Sequence, residues 1–166
     1  MDMTDLEIDD LAVRVGAFLS ARGWMLATAE SCTGGWVAEA VTSVAGSSAW
    51  FERGFVTYSN AAKASMLGVA EATLAAHGAV SEPVAAEMAT GARTHSRAQV
   101  ALAITGVAGP GGGSPGKPVG TVCFGWSWIG GQRVETRHFA GDRREVRRQS
   151  VILALVQLLA IPENPR

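Results

Sequence analysis

A chain of 166 residues is one domain's worth, long enough to bury a full core without covalent staples. A formal net charge of -1 gives no argument for nucleic acid as a partner, two cysteines (Cys32 and Cys123) make no disulfide framework, and three histidines leave few ligands for zinc. The acidic opening MDMTDLEIDD is unlike a secretory signal and no apolar run reaches the roughly 18 residues of a membrane span, so a soluble cytoplasmic domain with no membrane partner is expected.

Ile8, Leu11, Ala12, Val15, Phe18 and Leu19 recur at three and four residues and predict an amphipathic first helix, stopped at Gly23. Residues 25–29 read as a short buried strand, and 36–44 as a helix closing near Gly46. Residues 51–58 alternate as a strand that ends on Tyr58. A helix over 60–67 follows, with Asn60 as its cap and Gly68 beyond its end. A short helix over 71–77 comes next. Ser81, Glu82 and Pro83 then open a longer one that carries Val84, Met88 and Ala92 on one side. Residues 100–105 form a continuous apolar strand that runs into 106–118, too rich in glycine and proline for a helix or a central strand. Strands over 120–128 and 132–139 make a hairpin across Gly130 and Gly131. Asp142, with Glu145 completing a capping box, starts a last helix that reaches Ala160. The predicted fold is a single α/β domain, a mixed sheet covered by helices.

Three places carry chemistry. The stretch AESCTGG puts Ser31 and Cys32 at a strand exit, with Thr33, Gly34 and Gly35 turning into a helix. Amides there would face the turn, and each donor to a tetrahedral oxyanion contributes about 3 kcal/mol in the transition state. The pattern is not the Gly-x-Ser-x-Gly elbow, and on pattern alone a structural turn and a catalytic turn stand level. Cys32 is either a rival nucleophile or a small buried residue. The second place is the loop after Thr105, where Gly106, Gly109, Gly111, Gly112, Gly113 and Gly116 give six glycines in eleven residues. Such a loop either wanders over the surface or brings backbone amides to an anion at the C-terminal end of a strand. It lacks the Gly-Lys-Ser/Thr ending of a P-loop. The third place is Lys63, one of two lysines against twelve arginines. In the first turn of a helix the dipole disfavours its charge, which suits a base; a surface lysine is the other reading. Arg143, Arg144, Arg147 and Arg148 crowd the start of the last helix and either pair with nearby acids or reach a phosphate. His77, His95 and His138 show no metal spacing, and Trp126 and Trp128 share a strand face that is core or interface.

Four segments in order, ATAESCTGGWVAEAVTSVAGSSAWFERGFVTYSNAAK, HGAVSEPVAAEMATGA, ITGVAGPGGGSPGKPVGTVCFG and AGDRREVRRQSV, closely resemble the C-terminal domain of the CinA (competence/damage-inducible) protein family, over residues 11–159. The resemblance implies a compact α/β fold. It also implies the activity of the stand-alone nicotinamide-nucleotide amidohydrolases (NMN deamidases), which turn the carboxamide of nicotinamide mononucleotide into a carboxylate with release of ammonia. The family's N-terminal molybdopterin-type domain does not precede these segments, so a stand-alone member is expected, with no metal or other cofactor and with self-association into a homo-oligomer. Carried over residue by residue, the nucleophile falls on Ser31, the essential lysine on Lys63 and the active-site tyrosine on Tyr58. The hydroxyl residue ahead of the glycine loop falls on Thr105, and the arginine of the Gly-Asp-Arg segment on Arg143. Cys32, Thr33, Gly34 and Gly35 form the expected oxyanion turn. Gly106, Gly109, Gly111 and Gly112 are expected to hold the 5'-phosphate with Arg143. A nucleotide-binding or sensing module without turnover, or hydrolysis of a different amide, are the competing readings.

Overall fold

Side-chain size along the strands decides how the layers stack. In β3 (Val100–Gly106), Val100, Leu102 and Ile104 alternate with Ala101 and Ala103, so one face is bulky and the other nearly flat. In β4 (Thr121–Trp128), Val122, Phe124 and Trp126 continue the bulky face, with Phe124 and Trp126 stacked 5.7 Å apart. Against that face lie α1 (Met3–Arg22), α2 (Trp36–Thr42) and α6 (Arg143–Leu159), whose Ile8, Leu11, Val15, Leu19, Val37, Val151 and Leu155 complete the larger core. On the flat face α5 (Glu82–Thr94) can come close because Ala101, Ala103 and Gly125 offer little or no side chain; a side chain on Gly125 would run into the Ala85 backbone. Here α3 (Asn60–Leu67) packs on α5 and α4 (Glu71–His77) follows it.

The structure, a computed structural model, describes residues 3–163; the first two residues of the acidic opening and the last three of the expected domain span lie outside them. With β1 (Leu26–Glu30), β2 (Phe51–Val56) and β5 (Gly131–His138), the sheet order is β2-β1-β3-β4-β5. The first three strands in that order are parallel, and β4 and β5 are antiparallel additions joined by a two-residue turn at Ile129 and Gly130. The expected mixed sheet covered by helices is what forms. Trp126 belongs to the core, its indole N–H donating to Ala154 O at 3.1 Å. Asp142 caps α6 as expected, accepting from Glu145 N at 2.9 Å, a contact worth about 1 kcal/mol. Several boundaries shift by a residue or two, α2 ending at Thr42 among them, and two of the differences bear on the site. Strand β2 stops at Val56, two residues before Tyr58, and Ser59 rather than Asn60 caps α3, accepting from Ala62 N at 3.0 Å. Both are cap formers, and the extended backbone at Ser59 decides between them.

Because β2, β1 and β3 run parallel side by side, their C-terminal ends release Thr57, Ser31 and Val107 along one edge of the sheet. That edge is where open α/β sheets bind ligands.

Candidate active site

The turn after β1 is built around a buried acid. Glu30, 1% exposed, accepts from Thr33 Oγ1 at 2.7 Å and Val37 N at 2.8 Å with one oxygen, and from Ala38 N at 3.1 Å with the other. It therefore closes the start of α2 from inside the protein. Burial raises its pKa, while the hydrogen bonds from Val37, Thr33 and Ala38 pull the other way. Gly34 and Gly35, at φ of 60° and 104°, make the tight return that brings these amides over the carboxylate. The expectation that the α2 amides would point at Ser31 is thereby corrected, since Glu30 takes them. Ser31 N donates to Ile104 O at 2.9 Å and Gly34 N to Ser31 O at 3.0 Å. Among the described residues, the amides of Cys32 and Thr33 in this turn have no acceptor on another residue, while that of Gly35 faces the Glu30 carboxylate. Arg147, from α6, donates to Cys32 O at 3.0 Å and Thr33 O at 3.3 Å.

Lys63 is 2% exposed, and its Nζ lies 2.9 Å from Ser31 Oγ and 2.8 Å from Thr57 O. It sits one turn into α3, its amide donating to Ser59 O. Burial lowers its pKa below 10.5, partly offset by the neighbouring Cys32. The depression expected from the helix end is thus present, but its main cause is loss of solvent. Ser31 is half-buried, so its hydroxyl meets both a desolvated amine and the open edge of the sheet. Cys32, its neighbour, is buried and its thiol is pushed up to about 12 by that burial, against the pull of Arg147. A thiol held protonated is a poor nucleophile, which leaves Ser31 beside the amine as the chemically able group.

The remaining expected residues form an outer arc. Tyr58, 61% exposed, accepts from Arg143 Nη2 at 2.9 Å, and the same guanidinium donates from Nη1 to Gly109 O at 2.9 Å. Arg143 thus bridges the segment after β2 to the glycine loop, and the Tyr58 hydroxyl bonds it rather than Ser31 or Lys63. Thr105 directs its hydroxyl proton to Ala79 O at 2.9 Å. Gly106 is the last paired residue of β3, where a side chain would strike Val122. Gly109, Gly112 and Gly113 adopt positive φ, while at Gly111 a side chain would meet open space. Lys117 fastens the loop to the end of α4 through His77 O. Sequence reasoning gave no role to Glu30 or the Thr57 carbonyl, and it placed Arg147 only among four arginines that pair with acids or reach a phosphate, not at the Cys32 and Thr33 carbonyls. Their signals are contacts between residues up to 115 positions apart, which no local pattern carries. Among the described residues no group of three His, Cys, Asp or Glu is placed to hold a metal ion, and no helix is long and apolar enough to cross a membrane.

Known proteins resemble this chain along nearly its whole length. The chain is 59% identical over 157 residues to an Escherichia coli K12 protein named nicotinamide-nucleotide amidohydrolase PncC, covering 94% of this chain and 95% of that one. A Pseudomonas putida protein of the same name is 54% identical, with 93% and 96% covered. The crystal structure of competence/damage inducible protein CihA from Agrobacterium tumefaciens superposes with a TM-score of 0.90 at 48% identity, covering 93% of this chain and 94% of that chain. The family model for the CinA C-terminal domain matches residues 8–161, and this chain belongs to that family.

Proposed function

We propose that this chain is an amidohydrolase that converts nicotinamide mononucleotide to nicotinic acid mononucleotide and ammonia, with Ser31 as nucleophile and Lys63 as its base. The observation that carries the reading is the 2.9 Å contact between Lys63 Nζ and Ser31 Oγ, made by an amine whose charge burial disfavours. The names and close identity of the relatives support the substrate.

In this reading the Thr57 carbonyl orients the amine, and neutral Lys63 takes the Ser31 proton as Oγ attacks the carboxamide carbon. The tetrahedral oxyanion is received by backbone amides of the turn after Ser31. Lys63 then hands its proton to the departing nitrogen, ammonia leaves, and an ester to Ser31 remains. Water, deprotonated by Lys63, attacks that ester; Ser31 recovers the proton and the carboxylate product departs. Arg143 and the glycine loop hold the 5'-phosphate, with Tyr58 keeping the guanidinium in place. A cytoplasmic site of action and self-association complete the reading. Edge strand β2, whose last residue Val56 is exposed beside Tyr58, is a surface suited to a second copy.

The test is release of ammonia from nicotinamide mononucleotide, nicotinamide and a simple aliphatic amide by the purified protein. The mononucleotide should be turned over far faster than the others, and Ser31→Ala should abolish turnover while the protein still folds and binds. Tight binding with no ammonia from the parent protein would replace this reading with a sensing module.

A further inference from the structure

Arg147 contacts the nucleophile turn in a way the reaction above leaves unused. Its guanidinium reaches from α6 to Cys32 O and Thr33 O and lies over the Trp36 ring, 5.6 Å from the centroid. Those two carbonyls belong to consecutive peptide units. In a trans peptide the N–H points opposite to the C=O, so fixing the oxygen fixes the direction of the hydrogen too. The unit containing Cys32 O carries the Thr33 N–H, and the unit containing Thr33 O carries the Gly34 N–H. Gly34 N is already committed to Ser31 O.

The other amides near Ser31 are committed as well. Ser31 N donates to Ile104 O, Trp36 N to Thr33 O at 3.0 Å, Val37 N and Ala38 N to Glu30, and the Gly35 N–H also faces the Glu30 carboxylate. Cys32 N and Thr33 N remain, and Arg147 grips the peptide that bears the second. A hydrogen bond from a cation to a carbonyl also polarises the peptide and strengthens its N–H as a donor.

We propose that Arg147 is a positioning residue for the oxyanion: it aims and polarises the Cys32–Thr33 peptide so that Thr33 N–H meets the carboxamide oxygen as that oxygen becomes negative. The inference rests on Ser31 acting as the nucleophile of amide hydrolysis. Arg147 does not itself touch the reacting atoms, and its influence appears in the transition state rather than in substrate binding.

The test separates the two. In Arg147→Met, kcat for ammonia release from nicotinamide mononucleotide should fall ~100-fold with KM within about threefold of the parent. Calorimetric affinity for the mononucleotide in a Ser31→Ala background should change less than about threefold when Arg147→Met is added. Added methylguanidinium should restore part of kcat in Arg147→Ala. Unchanged kcat overturns the proposal. So does an affinity loss of about tenfold or more in the Ser31→Ala background, which would make Arg147 a substrate-holding group. If circular dichroism shows Arg147→Met unfolded, Arg147→Lys is put through the same comparison, since a lysine keeps the charge but cannot span both carbonyls in the same fork. Lost kcat with intact binding supports the proposal there, and full kcat overturns it. Turnover by Ser31→Ala alone would instead remove the amidohydrolase reading beneath it.

Discussion

Two glycine-bearing connections leave neighbouring parallel strands at the same end of the sheet, and they are built in opposite ways. The turn after β1 is tied from both sides: Glu30 holds Thr33, Val37 and Ala38 from within, and Arg147 holds Cys32 and Thr33 from α6. The loop after β3 is largely exposed and is pinned at a few points, Gly120 N to Val107 O, Arg143 to Gly109 O and Lys117 to His77 O. Reacting atoms must be held within a fraction of an ångström, and an over-determined backbone does that. Recognition of a charged, flexible group tolerates a lightly pinned loop.

Substitutions on either side should break this contrast in order of size. Lys63→Met should lower kcat ~1,000-fold or more by removing the base. In the parent protein, activity should rise with pH as Lys63 loses its proton, with a midpoint below 10.5. The linkage has a matching sign: a lysine with a lowered folded pKa contributes stability that is fully present above its unfolded value and is lost as pH falls through the folded one. Lys63→Met should therefore be more stable than the parent at pH 7, by denaturant titration, with the advantage shrinking as pH approaches 10.5. Glu30→Gln presents an amide donor where the structure has only donors facing it. It should destabilise by about 2 kcal/mol and reduce kcat, whereas Gly111→Ala in the open loop should stay within about 0.5 kcal/mol. Equal effects at both positions would erase the distinction between tied turn and pinned loop. Cys32→Ala should be the mildest of the turn variants in rate, with kcat within about threefold of the parent. A collapse of activity in that variant would put the thiol back in contention as nucleophile.

Much of this was legible in the sequence, and the omissions share a cause. The continuous apolar run over residues 100–105, the glycine stop at Gly23 and the helix starts at Ser81 and Asp142 are local signals, and each element formed nearly where it was expected. Pattern alone made Ser31 and Lys63 candidates with open alternatives, and the resemblance to the CinA C-terminal domain family is what paired them. Partial burial was expected only to add to the helix dipole in lowering the lysine's pKa; that burial dominates could not be read, because it depends on how α3 packs and not on where a residue sits in its helix. Glu30 stayed without a role because its partners are amides that approach only once α2 folds back over the end of β1. Arg147 was one of four neighbouring arginines, and nothing in their spacing told which would turn inward to the nucleophile turn and which would bridge Tyr58 and Gly109. Geometry separates them: Arg143 is exposed at the helix start, while Arg147, a turn later, is half-buried against Trp36.

The two hydrogen-bond partners of Lys63 Nζ, Ser31 Oγ and Thr57 O, are both uncharged, and among the described residues no carboxylate forms an ion pair with it. The pyridinium ring of the proposed substrate carries a fixed positive charge. Beside an ammonium that has no counter-ion, such a ring is repelled; beside the free amine it is not. Arrival of the cationic ring would therefore favour the unprotonated lysine, the form able to take the proton from Ser31.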